Sequence, residues 1–330
     1  MNRKVSVAPM MDCTDRHERF FLRLISKNTF LYTEMIVDEA INRGDKKKLL
    51  EFNVNEKPVA LQLGGSSPKL LAEAAKIGED FGYDEINLNL GCPSKKVEKN
   101  KFGACLMKEP NLVADCLTEM QNKTRLPVTI KTRIGYDNIE DYENFYNFIS
   151  KIKSTGVKTF IIHARKAMLG KFTPKQNLNI PPLKYDFVYN LKNDFPNDEI
   201  IINGGIISTN EIKNHLKKTD GVMIGRAAYH TPYLLADIEK EIFNNHIVPS
   251  REEVIENLIP YIKDELKKGT RLNQIMRHTL GLFHGQTGSS YWKRYLSENM
   301  CVRNADIQKV DHIMDKIKLN STQRIVGRSA

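Results

Sequence analysis

The run Asn87-Leu88-Asn89-Leu90-Gly91-Cys92-Pro93-Ser94 follows an apolar-rich segment, Tyr83 to Leu88, that reads as a strand, and it breaks at Gly-Cys-Pro into residues with neither strand nor helix pattern. A thiol beside two Asn side chains, at the end of a buried parallel strand, marks a place where a strand hands over to chemistry. A turn that merely contains a cysteine reads the same way in isolation. The flanking sequence decides between the two.

Outward from that run, short strand-like segments alternate with helix-like ones. The strand candidates are Val5 to Ala8, Phe30 to Thr33, Val59 to Leu63, Glu85 to Leu88, Val128 to Lys131, Thr159 to His163, Ile200 to Asn203 and Gly221 to Ile224. The helical candidates between and after them are Asp15 to Ser26, Pro68 to Phe81, Pro110 to Lys123, Ile139 to Ser154, Ser208 to Leu216 and Pro232 to Phe243. Ser67-Pro68 and Glu109-Pro110 put a proline in a first helical turn, where a missing N–H is harmless, and Ser208-Thr209-Asn210-Glu211 has the spacing of a capping box. Strands that each lead into a helix or a long loop predict a (β/α)8 barrel of the α/β class, because an open doubly wound sheet needs no such count. After about residue 244 the strands stop, and Arg251 to Lys268, Asn273 to Phe283 and Ser289 to Asn299 predict a small helical domain. The expected division is therefore 1–244 and 245–330.

In a barrel the C-terminal ends of all strands face one mouth, so residues there converge whatever their sequence separation. Those ends carry Pro9-Met10, Glu34, Gln62, Asn89 with Cys92, Lys131-Thr132-Arg133, His163-Ala164-Arg165, Asn203-Gly204-Gly205 and Gly225-Arg226. A purely structural barrel has no need of so many polar groups at one rim. Paired glycines let backbone N–H groups approach an anion, and the loops after the seventh and eighth strands are where barrels hold phosphate, with Arg226 adding a charged fork. Gln62 and Asn89 offer amides suited to the edges of a planar heterocycle. Lys131 either stabilises negative charge on such a ring or pairs with a carboxylate such as Glu34. His163 is equally readable as a ligand contact or as a core histidine bonded to a carbonyl.

Composition bounds the rest. The 330 residues exceed what one core usually holds, and 41% hydrophobic content suffices for a packed interior. No run approaches the roughly 18 apolar residues of a membrane span, and Met1-Asn2-Arg3-Lys4 leads into Val5 without a signal-type segment, so a cytoplasmic protein with no membrane partner is expected. The five cysteines, Cys13, Cys92, Cys105, Cys116 and Cys301, are scattered and lack C-x-x-C spacing, which argues against a disulfide framework and against a metal site. A net charge of +10 and a pI near 9.2 are compatible with a polyanionic partner without requiring one.

Together, Val7-Ala8-Pro9-Met10, Leu61-Gln62-Leu63-Gly64-Gly65, Glu85 through Ser94, Lys131-Thr132-Arg133, His163-Ala164-Arg165, Asn203-Gly204-Gly205 and Gly225-Arg226 resemble the tRNA-dihydrouridine synthases. Tyr32-Thr33-Glu34-Met35, Phe102 to Met107, Ile180 to Leu183 and Tyr295 to Met300 resemble the bacterial A branch, which acts on uridines 20 and 20a of the tRNA D-loop. The resemblance implies FMN in the barrel mouth, with Pro9 and Met10 along the ring system, Gln62, Lys131 and His163 at its polar edge or ribityl chain, and Asn203, Gly204, Gly205, Gly225 and Arg226 at the phosphate. It implies Cys92 as general acid and Asn89 as a contact of the target uracil. In the implied reaction the C5–C6 bond of uridine is reduced, with hydride reaching C6 from FMN, NADPH as the reductant, and a proton passing from Cys92 to C5. An ordinary thiol, with a pKa of about 8.5, is largely protonated at neutral pH, as an acid requires.

The same resemblance implies tRNA as partner and places Lys175, Asn177, Lys293 and Arg294 among its contacts. Leu178-Asn179 and Ser289-Ser290-Tyr291 depart from the branch pattern, where more arginine is expected. From Asn245 on, 14 Lys/Arg face 9 Asp/Glu, and Lys267, Lys268, Arg271, Arg277, Lys293, Arg294 and Arg303 are interleaved with His278, Tyr291, Trp292 and Tyr295. Charge with aromatics is the make-up of an RNA platform, although a solvated helix face reads alike. Arg43 to Lys48 and the long insertion Arg165 to Ile180 are further basic loops at the mouth. A monomer is expected. Two other readings share these features: a flavin oxidoreductase of a free pyrimidine, like the dihydroorotate dehydrogenases, and a noncatalytic tRNA-binding protein.

Overall fold

The computed structural model describes residues 1–302 and 305–326, with side chains described to residue 316; Arg303 of the basic tail lies outside them. Eight parallel strands, β1 (Val5–Val7), β2 (Leu31–Val37), β3 (Val59–Gly64), β4 (Glu85–Leu90), β5 (Val128–Arg133), β6 (Thr159–His163), β7 (Glu199–Asn203) and β8 (Gly221–Ile224), form one sheet in the order β1-β8-β7-β6-β5-β4-β3-β2. The remaining seam is joined where Ser6 bridges Phe30, with Val7 N donating to Phe30 O at 2.9 Å and Phe30 N to Val5 O at 3.0 Å. The expected (β/α)8 barrel is therefore the observed one. Its central strands are buried on both faces, because helices cover the outside and side chains fill the inside.

The helices Pro68–Phe81 and Pro110–Lys123 run as the sequence predicts, with Ser67 capping the first through Leu70 N. Ser208 and Glu211 form the capping box of Thr209–Leu216. Three expectations are corrected. The second strand is longer than Phe30 to Thr33, continuing to Val37 past a register irregularity between Tyr32 and Met35 that breaks its alternation. The helix expected from Ile139 starts at Tyr142, capped by Asp141, because Tyr136 and Ile139 exchange backbone bonds in a turn. Asn273 to Phe283 is divided into the helix Leu272–Met276 and a tighter turn, Arg277–Gly281.

Side chains alternate across each strand, so every second residue points into the barrel. The layer nearest the strand starts is ionic. Arg3 donates to Glu85 at 2.6 Å and to Glu199 at 2.7 Å, Tyr32 and Thr129 donate to Glu85, and Thr159 donates to Glu199 at 2.9 Å. Removing one member of such a buried pair strands a charge, at a cost of about 3–5 kcal/mol. Above it lies an apolar plug of Ala8, Phe30, Tyr32, Ala60, Ile161, Ile201 and Met223, with Met10 packed against it. The layer at the mouth is polar again.

The chain packs as two compact units: Met1–Arg16 with Thr29–Gly225, and His17–Asn28 with the residues from Arg226 on. The barrel is the first. In the second, the helix Arg16–Ile25 that follows β1 lies with C-terminal helices. Phe20 stacks on Tyr261 at 3.9 Å, His17 Nδ1 meets the Tyr261 hydroxyl at 2.7 Å, and Glu18 lies 3.2 Å from His278. Glu239 accepts from Ser26 Oγ, Asn28 N, Asn28 Nδ2 and Asn245 Nδ2. No described helix is long and apolar enough to cross a membrane.

Candidate active site

The mouth layer collects Gln62, Asn89, Lys131, His163 and Asn203 from five consecutive strands, all on the inward-facing alternation. Asn89 pairs in register with Lys131, and His163 with both Arg133 and Asn203. Residues separated by more than a hundred positions in sequence thus share one rim.

A directed chain of hydrogen bonds runs up the barrel wall to the cysteine loop. Glu85 offers only lone pairs to Thr129, so the Thr129 hydroxyl donates to it and accepts from Asn87 Nδ2 at 2.8 Å. Asn87 Oδ1 accepts from Gln62 Nε2 at 2.8 Å, and Gln62 Oε1 accepts from Asn89 Nδ2 at 2.8 Å. Asn89 Oδ1 then accepts the backbone N–H groups of Gly91 at 3.1 Å and of Cys92 at 2.9 Å. Each link fixes the orientation of the next amide, and the last one holds the backbone of Cys92. Asn87 was not among the expected residues, although its place two positions before Asn89, on the same face of the strand, is the signal that finds it.

Arg133 supports the same loop from the other side. Its buried guanidinium donates to Gly91 O at 2.8 Å, Lys166 O at 3.1 Å and Asn177 O at 3.2 Å, joining the cysteine loop to the insertion after β6. Burial pulls its pKa down to about 10, with Cys92 acting in the opposite direction, which leaves it charged at neutral pH. For Lys131 burial is again the main cause and the charge of Arg133 the second; together they pull the ammonium down to about 7 while Cys92 opposes them. The carboxylate partner that the sequence reading allowed for Lys131 is not among the groups acting on it.

On the opposite side of the mouth, Gly204 and Gly205 have φ of +120° and +74°, a region open to glycine and strained for any side chain. A Cβ on Gly204 would also stand 3.4 Å from His163 Nε2, and one on Gly205 would be 2.7 Å from Leu183 Cδ1. Tyr185, which the sequence did not single out, donates its hydroxyl to Gly204 O at 2.7 Å, and Asn203 Nδ2 donates to Met223 O at 2.7 Å. These bonds hold the turn after β7 in place. Gly225 follows β8, where an added Cβ would meet only Ala8 and Met10 at 3.8 Å. Arg226 begins the helix Arg226–His230 and is exposed; Pro9 and Met10 are half-buried just past β1.

The residues expected to contact tRNA fare differently. Lys175, Lys293 and Arg294 are exposed. Asn177 is fully buried: its amide accepts from Met168 N at 2.7 Å and donates to the carbonyls of Met168, Phe172 and Thr173, so its side chain closes the insertion on itself. Of the four aromatic side chains named in the tail, Trp292 is buried and donates to Thr279 O at 2.9 Å, and His278 is buried beside Glu18, leaving Tyr291 and Tyr295 partly exposed. No group of three or more His, Cys, Asp or Glu among the described residues is arranged to hold a metal.

The profile of the family described as Dihydrouridine synthase (Dus) matches residues 6–318. The chain belongs to the dihydrouridine synthase family. Among similar relatives, the protein named tRNA-dihydrouridine(20/20a) synthase in Synechocystis sp. is 53% identical over 91% of this chain and 90% of its own. Those of Shewanella oneidensis and Escherichia coli K12 are each 51% identical over 94% of this chain and over 92% and 90% of theirs. A solved 2-naphthoyl-CoA reductase complex superposes with a TM-score of 0.53 at 12% identity, covering 71% of this chain and 49% of that one, which is a likeness of fold alone. As a dihydrouridine synthase the chain is an enzyme, and its mouth layer is where its chemistry is sought.

Proposed function

We propose that this protein reduces uridines 20 and 20a of tRNA to dihydrouridine in the cytoplasm, with FMN bound in the barrel mouth and NADPH as reductant. The observation that carries the reading is the bond chain ending on Cys92, which fixes a thiol beside a polar rim opposite a glycine cradle. The residues fit the cofactor: Gly205 is exposed and Gly225 half-buried, neither with a side chain to keep a phosphate from the backbone, Arg226 and Lys131 supply positive charge, and Gln62 keeps one amide N–H beyond the bond to Asn87. Bound there, FMN supplies the hydride for uracil C6.

This chain's own groups do the rest. Cys92 Sγ gives its proton to C5, and the two bonds from Asn89 and the bond from Arg133 hold its loop at the rim. Asn89 Oδ1 already accepts two N–H groups, while its amide keeps one N–H beyond the bond to Gln62. Its contact with uracil is therefore a donation to a carbonyl oxygen, and the ring N3–H must find another acceptor. The barrel carries the chemistry, and the helices from Arg251 on, with Lys293, Arg294, Tyr291 and Tyr295, carry part of the tRNA.

The test is direct. Purified protein should be yellow, release FMN on denaturation, and with NADPH should add two hydrogens to positions 20 and 20a of unmodified tRNA, read by nucleoside mass mapping. A colourless preparation that gains no flavin on reconstitution refutes the cofactor assignment.

Lys131 supplies a second test. Its ammonium titrates near 7 without ligand, and an anionic flavin phosphate or ring edge favours the charged form, so binding takes up a proton above that pH. Flavin affinity should fall as pH rises past 7, by at most about tenfold per pH unit. Lys131→Arg should flatten the dependence; an unchanged slope in that variant, measured by fluorescence titration, would exclude Lys131 from it.

A further inference from the structure

Immediately after Cys92 comes Pro93-Ser94-Lys95-Lys96-Val97-Glu98-Lys99-Asn100-Lys101-Phe102. Lys95, Lys96, Lys99 and Lys101 are all exposed, and none has an ion pair among the described residues. The one acid in the run, Glu98, is half-buried and near enough to Cys105 to raise its thiol pKa, behind burial. Lys108 is accounted for differently: it reaches Asp137 at 3.5 Å and lies over the Tyr136 ring.

The backbone under these lysines is tied to the cysteine loop. Ser94 caps the short helix Lys95–Lys99 through Val97 N, Val97 and Phe102 are buried, and Ala104 N donates to Cys92 O at 2.9 Å. The four lysines are therefore anchored to the same segment as the thiol.

They are also poorly chosen for folding. Lys95 and Lys96 occupy a helix's first turn, where positive charge opposes the peptide dipoles. Lys95 and Lys99 are like charges one turn apart. Lys101 has φ +57°, a left-handed conformation that glycine or asparagine adopts with less strain. Local rules broken together at one place point to a functional demand.

We infer that Lys95, Lys96, Lys99 and Lys101 form a phosphate-binding ridge that grips the tRNA backbone beside the nucleotide delivered to Cys92. This rests on the tRNA-reducing reading above. The ridge moves with the loop that carries the proton donor, so phosphate contact and thiol placement are set by one segment. Positive side chains on phosphates position the RNA without reading its sequence, and flipping a base out of a folded loop needs such holds on both flanks.

The experiment uses the flavin-loaded, full-length protein and one unmodified tRNA, with dissociation constants measured from low to moderate salt. Combined Lys95→Gln, Lys96→Gln and Lys99→Gln should weaken binding on the order of 10- to 100-fold and lower the salt slope by about 2, at roughly 0.7 per lost single-strand phosphate contact. Lys101→Gly should weaken tRNA binding several-fold while its melting temperature stays the same or rises, a combination that general damage to the fold does not produce. A control with Lys123→Gln and Lys158→Gln, exposed residues next to the starts of β5 and β6, should bind as the parent does. Parental affinity and slope in the triple variant, or an equal loss in the control, overturns the ridge while leaving the function standing. If the unaltered protein binds no tRNA, the functional reading fails and the ridge fails with it.

Discussion

Cys92→Ala is expected to keep its flavin and its tRNA while reducing uridine slower on the order of 10²–10⁴-fold, the usual worth of a positioned proton donor. The substitution removes only Sγ. The Cys92 N–H still donates to Asn89 Oδ1, and Cys92 O still accepts from Ala104 N, so the loop keeps its form. Arg133 continues to hold Gly91. Neither neighbouring cation replaces the proton well: Arg133 stays charged, and Lys131, though it titrates near 7, emerges from the strand beside β4 rather than from the loop. Single-turnover reduction of tRNA by prereduced enzyme isolates the step. An undiminished rate in Cys92→Ala moves the proton donor to another group.

Truncation after Phe243 should abolish folding instead of yielding a flavin-binding barrel. The segment that links β1 to β2 contains the helix Arg16–Ile25, whose buried face includes Phe20, Phe21, Leu22 and Ile25. Its partners Tyr261 and His278 are beyond the cut. Losing the cover of Phe20 alone costs about 1.5–3 kcal/mol, a large share of the margin of about 5–15 kcal/mol by which a domain stays folded. Glu18 would lose His278 in the same step. Circular dichroism and flavin retention of residues 1–243 check this; cooperative unfolding near the full-length temperature, with flavin bound, would show the helix to be dispensable.

That expectation departs from the division legible in the sequence, which set the tail apart from the barrel, because His17–Asn28 groups with the residues from Arg226 on. The strands were readable because a buried parallel strand needs a short apolar run between breakers, and two helices matched end to end because a proline marks the start of each and Ser67 caps the first. The membership of Arg16–Ile25 was not readable: an amphipathic face has the same pattern whichever surface covers it, and its partners Tyr261 and His278 are more than 230 positions away. At the mouth, the polar strand ends named Gln62, Asn89, Lys131 and His163 correctly as neighbours. Their bonding was hidden, since the order Thr129, Asn87, Gln62, Asn89, Cys92 depends on strand register. Asn177 and Trp292 show the converse. The family resemblance placed Asn177, and aromatic identity Trp292, among the expected RNA contacts; Asn177 is buried closing its own loop, and Trp292 is buried and bonded to Thr279 O.

The placement of that first helix also bears on biosynthesis. Synthesis runs from the N-terminal side, so β1 and Arg16–Ile25 are made before the segments they pack with. Strand β1 takes its register from Val222 to Ile224, and the helix waits for Tyr261 and His278. Phe20 therefore remains without its final cover until Tyr261 has been synthesised. The nascent protein carries an adhesive segment until residues 261 and 278 emerge, which makes it a candidate client for ribosome-associated chaperones, and slowed elongation between residues 25 and 278 should lower its soluble yield more than slowing after residue 278.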